Sequence, residues 1–131
     1  MPENKPLTAF AIVAHPDDVE FMMAGTLLLL KDAGADIHLW NLCNGCHGSM
    51  VYGYDEIKRM RWEEAQAAAR EAGATIYPPF ADDLALFYDA PSIARVAAVI
   101  RRVKPDIILT QPPQDYMEDH MNACRITVTA A

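Results

Sequence analysis

The sequence lacks any apolar run long enough to cross a bilayer. The stretch "FMMAGTLLLL" is broken by Lys31, well short of the roughly 20 residues a spanning helix needs. It is also poor in positive charge. Eleven Lys and Arg stand against eighteen Asp and Glu, a formal net charge of −7. That balance argues against a nucleic-acid or membrane partner, since both select clustered cations, and the short cluster Lys58, Arg59 and Arg61 is too small to reverse it. The opening "MPENKPLTAF" has no apolar h-region or small-residue cleavage site, so a cytoplasmic location is expected. Internal repeats, low-complexity tracts and interdomain linkers are absent as well, so residues 1–131 read as one domain. Hydrophobic residues make up 52% of the chain, enough for a core.

Apolar strand-like runs alternate with helix-like segments. In order they are "TAFAIVAH", a helix over about 17–33, "ADIHLWNL", a helix over about 54–72, "ATIYPP", a helix over about 92–103 and "PDIILTQP". This alternation predicts βαβ units and a parallel sheet, an α/β fold. Gly34 and Gly73 fall just past helix ends, where left-handed caps are expected, and Pro105 stops the third helix. Residues 119–131 read as the opening of a further helix. A sheet of four strands closed by one helix is small, and a domain incomplete at its C-terminal end is expected.

The segment "AHPDDVE" sets a histidine and three carboxylates directly behind the apolar run "AFAIV". Pro16 suits a first helical turn, and Asp17, Asp18 and Glu20 would complement a helix macrodipole, so a capping role accounts for this segment taken alone. A second cluster, "DYMEDH", follows the fourth strand-like run. Ligands of open parallel sheets bind beyond the carboxyl ends of the strands. With a strand order of 3-2-1-4, the first and fourth strands are neighbours, and His15, Asp18 and His120 converge. Two imidazoles and a carboxylate suit Zn²⁺, with a fourth position for a water made more acidic by the metal. Asp17, next to a ligand but free of the metal, is placed to act as general base.

These motifs, together with "AGT", "NLCNGCHG" and "RWEEAQAAAREAGA", resemble the zinc-dependent de-N-acetylases of the PIG-L/LmbE type over nearly the whole chain. The resemblance implies a Rossmann-like three-layer fold and hydrolysis of an N-acetyl group from a small molecule, commonly an N-acetylglucosamine-containing one. On matching positions His15, Asp18 and His120 would bind Zn²⁺, with Fe²⁺ or another divalent ion as an alternative. Asp17 would be the base and Asp119 would orient its neighbours. Arg61 matches a substrate-contacting position, against a solvated helix charge as the simpler reading. Asp82 or Asp83 matches another, against a loop-capping role. The resemblance is also compatible with a homo-oligomer.

One position departs from the pattern. The family motif D-x-H-P-D-H reads Asp115-Tyr116-Met117-Glu118-Asp119-His120 here, so Met117 replaces a histidine credited with stabilising the oxyanion or protonating the leaving amine. A thioether donates no proton, which leaves the metal, Tyr116 or a residue outside this chain for that part. Losing one oxyanion donor costs on the order of a hundredfold in rate. A catalytically silent metal- or sugar-binding module is therefore the alternative to an enzyme.

Other motifs have simpler readings. "CNGCH" matches C-x-x-C-H formally, but Cys124 is the only further cysteine, and the surrounding glycines indicate a loop at the pocket rim. His38 reads as a packed strand residue, and Trp40 and Trp62 as core or interface. His47 is a minor candidate for substrate contact. No G-x-G-x-x-G follows the first strand, and carboxylates there would repel a dinucleotide pyrophosphate.

Overall fold

The computed structural model describes residues 5–131. Its elements are β1 (Thr8–Val13), α1 (Asp18–Met22), α2 (Ala24–Asp32), β2 (Asp36–Asn41), α3 (Tyr54–Glu71), β3 (Thr75–Tyr77), α4 (Ala90–Val103), β4 (Ile107–Leu109) and α5 (Glu118–Ala130). The four strands form one parallel sheet, as the alternation of runs predicts, and their order is the expected β3-β2-β1-β4.

Strand β1 is central, and all six of its residues are buried. That explains why it reads as a continuous apolar run, since a parallel strand covered on both faces has no polar side. Its side chains divide between two cores. Phe10 and Ile12 pack with Trp40, Val96, Val99, Ile100 and Ile126, placing α4 and α5 on one face. Ala9, Ala11 and Val13 pack with Ile37, Leu39, Val19, Leu27 and Ala69, placing α1, α2 and α3 on the other. The result is the expected three-layer arrangement.

The helix expected over about 17–33 is instead two, separated at Met23, whose φ of −138° and ψ of 2° leave the helical region. The first short helix is fixed by Asp18, which is tied back to the end of β1. Beyond Met23, α2 packs Leu27 into the core on this face of the sheet. Gly34 and Gly73 adopt φ of 92° and 59°, the left-handed caps expected of them. Helix α4 begins at a capping bond from the Ser92 N–H to Asp89 (2.9 Å). Among the described residues, no helix is long and apolar enough to cross a membrane.

Candidate metal centre and active site

The carboxyl ends of β1 and β4 lie side by side where the winding of the sheet reverses, which opens a crevice. His15 follows the end of β1, Asp18 opens α1, and His120 lies in the first turn of α5. Residues more than a hundred positions apart thus meet. One donor atom from each of these three residues lies within 4.8 Å of the other two. Asp18 Oδ2 is 3.5 Å from His15 Nδ1 and 3.3 Å from His120 Nε2. Donors held tetrahedrally at roughly 2.0–2.1 Å from zinc stand about 3.3 Å apart, so the spacing fits a small divalent ion.

The outer nitrogen of each imidazole meets a carboxylate. His15 Nε2 is 2.8 Å from Asp119 Oδ2, and His120 Nδ1 is 3.0 Å from Asp115 Oδ1. When those nitrogens donate outward, the opposite lone pairs turn inward, the usual support of ligating histidines. The carboxylates are fixed in turn. Asp119 Oδ2 also accepts the Leu84 N–H at 2.8 Å, and Asp115 Oδ1 accepts the Met117 N–H at 3.0 Å. Asp18 Oδ2 accepts the His15 N–H at 2.8 Å and the Gln111 amide at 2.9 Å, while Gln111 Oε1 accepts the Ala14 N–H at 2.9 Å.

Packing carboxylates around two imidazoles is costly without a cation. In the metal-free protein His15 serves as that cation. Burial lowers its pKa, but the hydrogen bonds to Asp119 and Asp18 and the charges of Asp18 and Asp83 outweigh it and push it up to about 10. Burial raises the carboxyls of Asp18 and Asp119, yet their bonds with His15 prevail and hold both below the ordinary range.

Asp17 holds the N-cap position of α1, but not through its side chain. It precedes α1 at a left-handed φ of 91° and makes no side-chain capping bond. Its Oδ2 instead accepts a bond from Arg61 Nη2 at 2.9 Å. The same nitrogen donates to the Pro16 carbonyl at 2.6 Å, and Nη1 donates to Glu64 at 2.6 Å. Arg61 thus reaches from α3 to the turn that carries Asp17. Burial, with the nearby charge of Asp18, raises the Asp17 carboxyl despite that pairing. Gly45, at φ of 78°, lies against the Arg61 stem; a Cβ there would meet Arg61 Cγ at 2.9 Å.

Asp83 is buried, and its two oxygens accept the N–H groups of Gly45 (2.8 Å) and His47 (3.0 Å), so it holds the loop after β2. Asp82 is bonded by Asn44 and Tyr54 on the outside of that loop. Tyr116 is exposed, with its ring edge-on to His120 at 5.6 Å. Met117 and the exposed His47 line the same cavity. That cavity, about 400 Å³, is lined by four carboxylates (Asp17, Asp18, Asp83 and Asp119) and one guanidinium, Arg61. A second, almost wholly apolar cavity of about 250 Å³ beside Leu27 and Leu28 holds none of the metal-ligand candidates.

The cysteines are free and buried. Cys43 forms a second donor group with His15 and Asp83, whose oxygens accept the Gly45 and His47 N–H groups. Burial pushes the thiols of Cys43 and Cys46 up, away from reactive thiolates. His38 Nδ1 is 2.9 Å from the Tyr77 hydroxyl within the sheet, a packed residue as expected.

Sequence reasoning assigned no role to Gln111, Asp115 or Leu84. Gln111 carried a usable signal, a polar side chain just beyond an apolar strand-like run, as His15 is. Leu84 carried none, because it acts through its backbone.

A family model described as GlcNAc-PI de-N-acetylase matches residues 10–131. A 4-oxalmesaconate hydratase from Pseudomonas putida is 28% identical over 94% of this chain and 51% of its own length. The chain therefore spans about half the length of that curated relative. The crystal structure of the 4-carboxy-2-hydroxymuconate hydratase from P. putida superposes with a TM-score of 0.86 at 27% identity, covering 95% of this chain and 55% of that one. The N,N'-diacetylchitobiose deacetylase of Pyrococcus horikoshii superposes with a TM-score of 0.88 over 94% of this chain and 48% of that one, a likeness of fold at 23% identity. With the family model matched across nearly its whole length, the chain belongs to the PIG-L family.

Proposed function

We propose that this chain carries the catalytic centre of a metal-dependent hydrolase that removes an N-acetyl group from a small molecule, an N-acetylglucosamine-type amino sugar. The observation that carries the reading is the donor set of His15, Asp18 and His120, braced by Asp119 and Asp115, beside the carboxylate of Asp17. A divalent ion there, Zn²⁺ or Fe²⁺, would polarise the acetyl carbonyl and lower the pKa of water. Asp17, with one oxygen held by Arg61, offers the other to take the proton of the attacking water and return it to the leaving amine. The amide C–N bond breaks, a C–O bond forms, and acetate and a free amine result. Asp119 holds His15 in position throughout. Tyr116 and Arg61 line the cavity that would take the substrate, and Asp83 supports the loop that carries Gly45 and His47 beside Arg61.

The test is acetate release from N-acetylglucosamine and N,N'-diacetylchitobiose by the Zn²⁺- or Fe²⁺-loaded protein. Asp17→Asn is expected to keep the metal and lose turnover. Full activity in that variant would refute the base assignment.

The likeness to hydratases at 27–28% identity, together with Met117, favours one second reading: addition of water to an unsaturated acid at the same centre. The cavity's only guanidinium is already paired with Asp17 and Glu64, so a carboxylate substrate there would be held mainly by the metal ion. Loss of ultraviolet absorbance from an unsaturated oxo acid, with no acetate from any amide, would favour the hydratase.

A further inference from the structure

Leu84 carries two costs that folding does not offset. Its φ of 65° lies in the left-handed region, disfavoured for a bulky side chain, and that side chain is 66% exposed. The fold uses only its backbone, whose N–H donates to Asp119 Oδ2; glycine would make the same bond without strain. An exposed apolar side chain on a strained backbone at a cavity wall is placed to contact a ligand.

Two further apolar side chains line the same cavity. Tyr116 is 88% exposed and stands edge-on to His120, and Met117 follows it. Each is tied to the candidate metal ligands. Leu84 connects through Asp119 to His15, Tyr116 packs against the His120 ring, and the Met117 N–H is bonded to the carboxylate that holds His120. An apolar group resting on them would therefore be fixed relative to the inward-facing imidazole nitrogens.

We propose that Leu84, Tyr116 and Met117 form an apolar subsite at the mouth of the metal cavity, which takes an aryl or alkyl substituent of the substrate. Its place beside the reacting group rests on the function proposed above. The subsite makes the preferred substrate an amphiphile, polar at the metal and apolar beyond it.

Calorimetric titration of the zinc-loaded protein with the phenyl and methyl glycosides of N-acetylglucosamine tests this. Wild type is expected to bind the phenyl glycoside about tenfold more tightly, through partial burial of the ring. Leu84→Gly and Tyr116→Ala are each expected to remove most of that preference, with Leu84→Gly unfolding at no lower a denaturant concentration than wild type. Equal affinities in wild type, or a preference that survives in both variants, would overturn the subsite. A clearly less stable Leu84→Gly protein would overturn it too, by showing that the fold needs the side chain. If neither glycoside binds, the amino-sugar reading fails on its own. Phenylacetate and acetate titrated into the same proteins then decide the subsite by the same criterion.

Discussion

Arg61 Nη2 donates to Asp17 Oδ2 at 2.9 Å, and this bond crosses from the middle of the chain to the turn behind the first strand. Asp17 sits there in a left-handed backbone conformation, which persists only while its surroundings enforce it. Arg61 grips the carboxylate and the preceding carbonyl together, so it acts on the proposed base more directly than on the substrate.

Arg61→Met is accordingly expected to lower kcat by on the order of a hundredfold, as misplacement of a catalytic group does. KM should change little. Steady-state kinetics separate the two roles: a raised KM with kcat intact would make Arg61 a substrate contact. Arg61→Lys should recover little, because one ammonium cannot reach Glu64, Pro16 and Asp17 from a single point.

Gly45→Ala should reach the same device from the other side. The added methyl would meet Arg61 Cγ at 2.9 Å, on a backbone whose φ of 78° already disfavours any side chain. A loss of about 1–3 kcal/mol in denaturant unfolding is expected, with kcat reduced in parallel. Unchanged stability and rate would show that Gly45 and Arg61 are not in close contact.

Metal binding should release a proton at neutral pH. His15, raised to about 10 in the metal-free protein, is protonated at pH 7 and must be neutral to act as a ligand. Calorimetry in buffers of different ionisation enthalpy should show about one proton displaced per ion, with affinity rising as pH increases toward 10. The sign for stability is the reverse. The charged His15 stabilises the metal-free fold fully below its ordinary value of 6.5, and that contribution is lost as pH rises through about 10.

Gln111→Leu removes the one side chain that joins Ala14, at the end of β1, to Asp18. A buried N–H would be left without its partner, at a cost of about 1–3 kcal/mol. Loss of a group that orients a metal ligand typically weakens binding by roughly 10–100-fold, and competition with a chelating dye would measure it.

Much of the fold was legible because β1, covered on both faces, leaves an unbroken apolar run, and Gly34 and Gly73 marked the helix ends. The convergence of His15, Asp18 and His120 was legible once a strand order of 3-2-1-4 was taken, because it sets the ends of β1 and β4 side by side. The break at Met23 was not legible, since methionine is a good helix former and neither glycine nor proline marks that position. The arrangement around Asp83 was ambiguous as well. Whether a carboxylate faces substrate or its own loop depends on where the Gly45 and His47 N–H groups point, and no residue pattern records that. Leu84 escaped because backbone strain has no sequence signature outside glycine and asparagine.

The central claim is that one divalent ion binds among His15, Asp18 and His120. The most direct measurement is the metal content of the zinc-reconstituted protein by mass spectrometry, compared with His120→Ala. One ion per chain, lost in the variant, is the predicted result. No bound metal in the wild type, or the same content in both proteins, would contradict it.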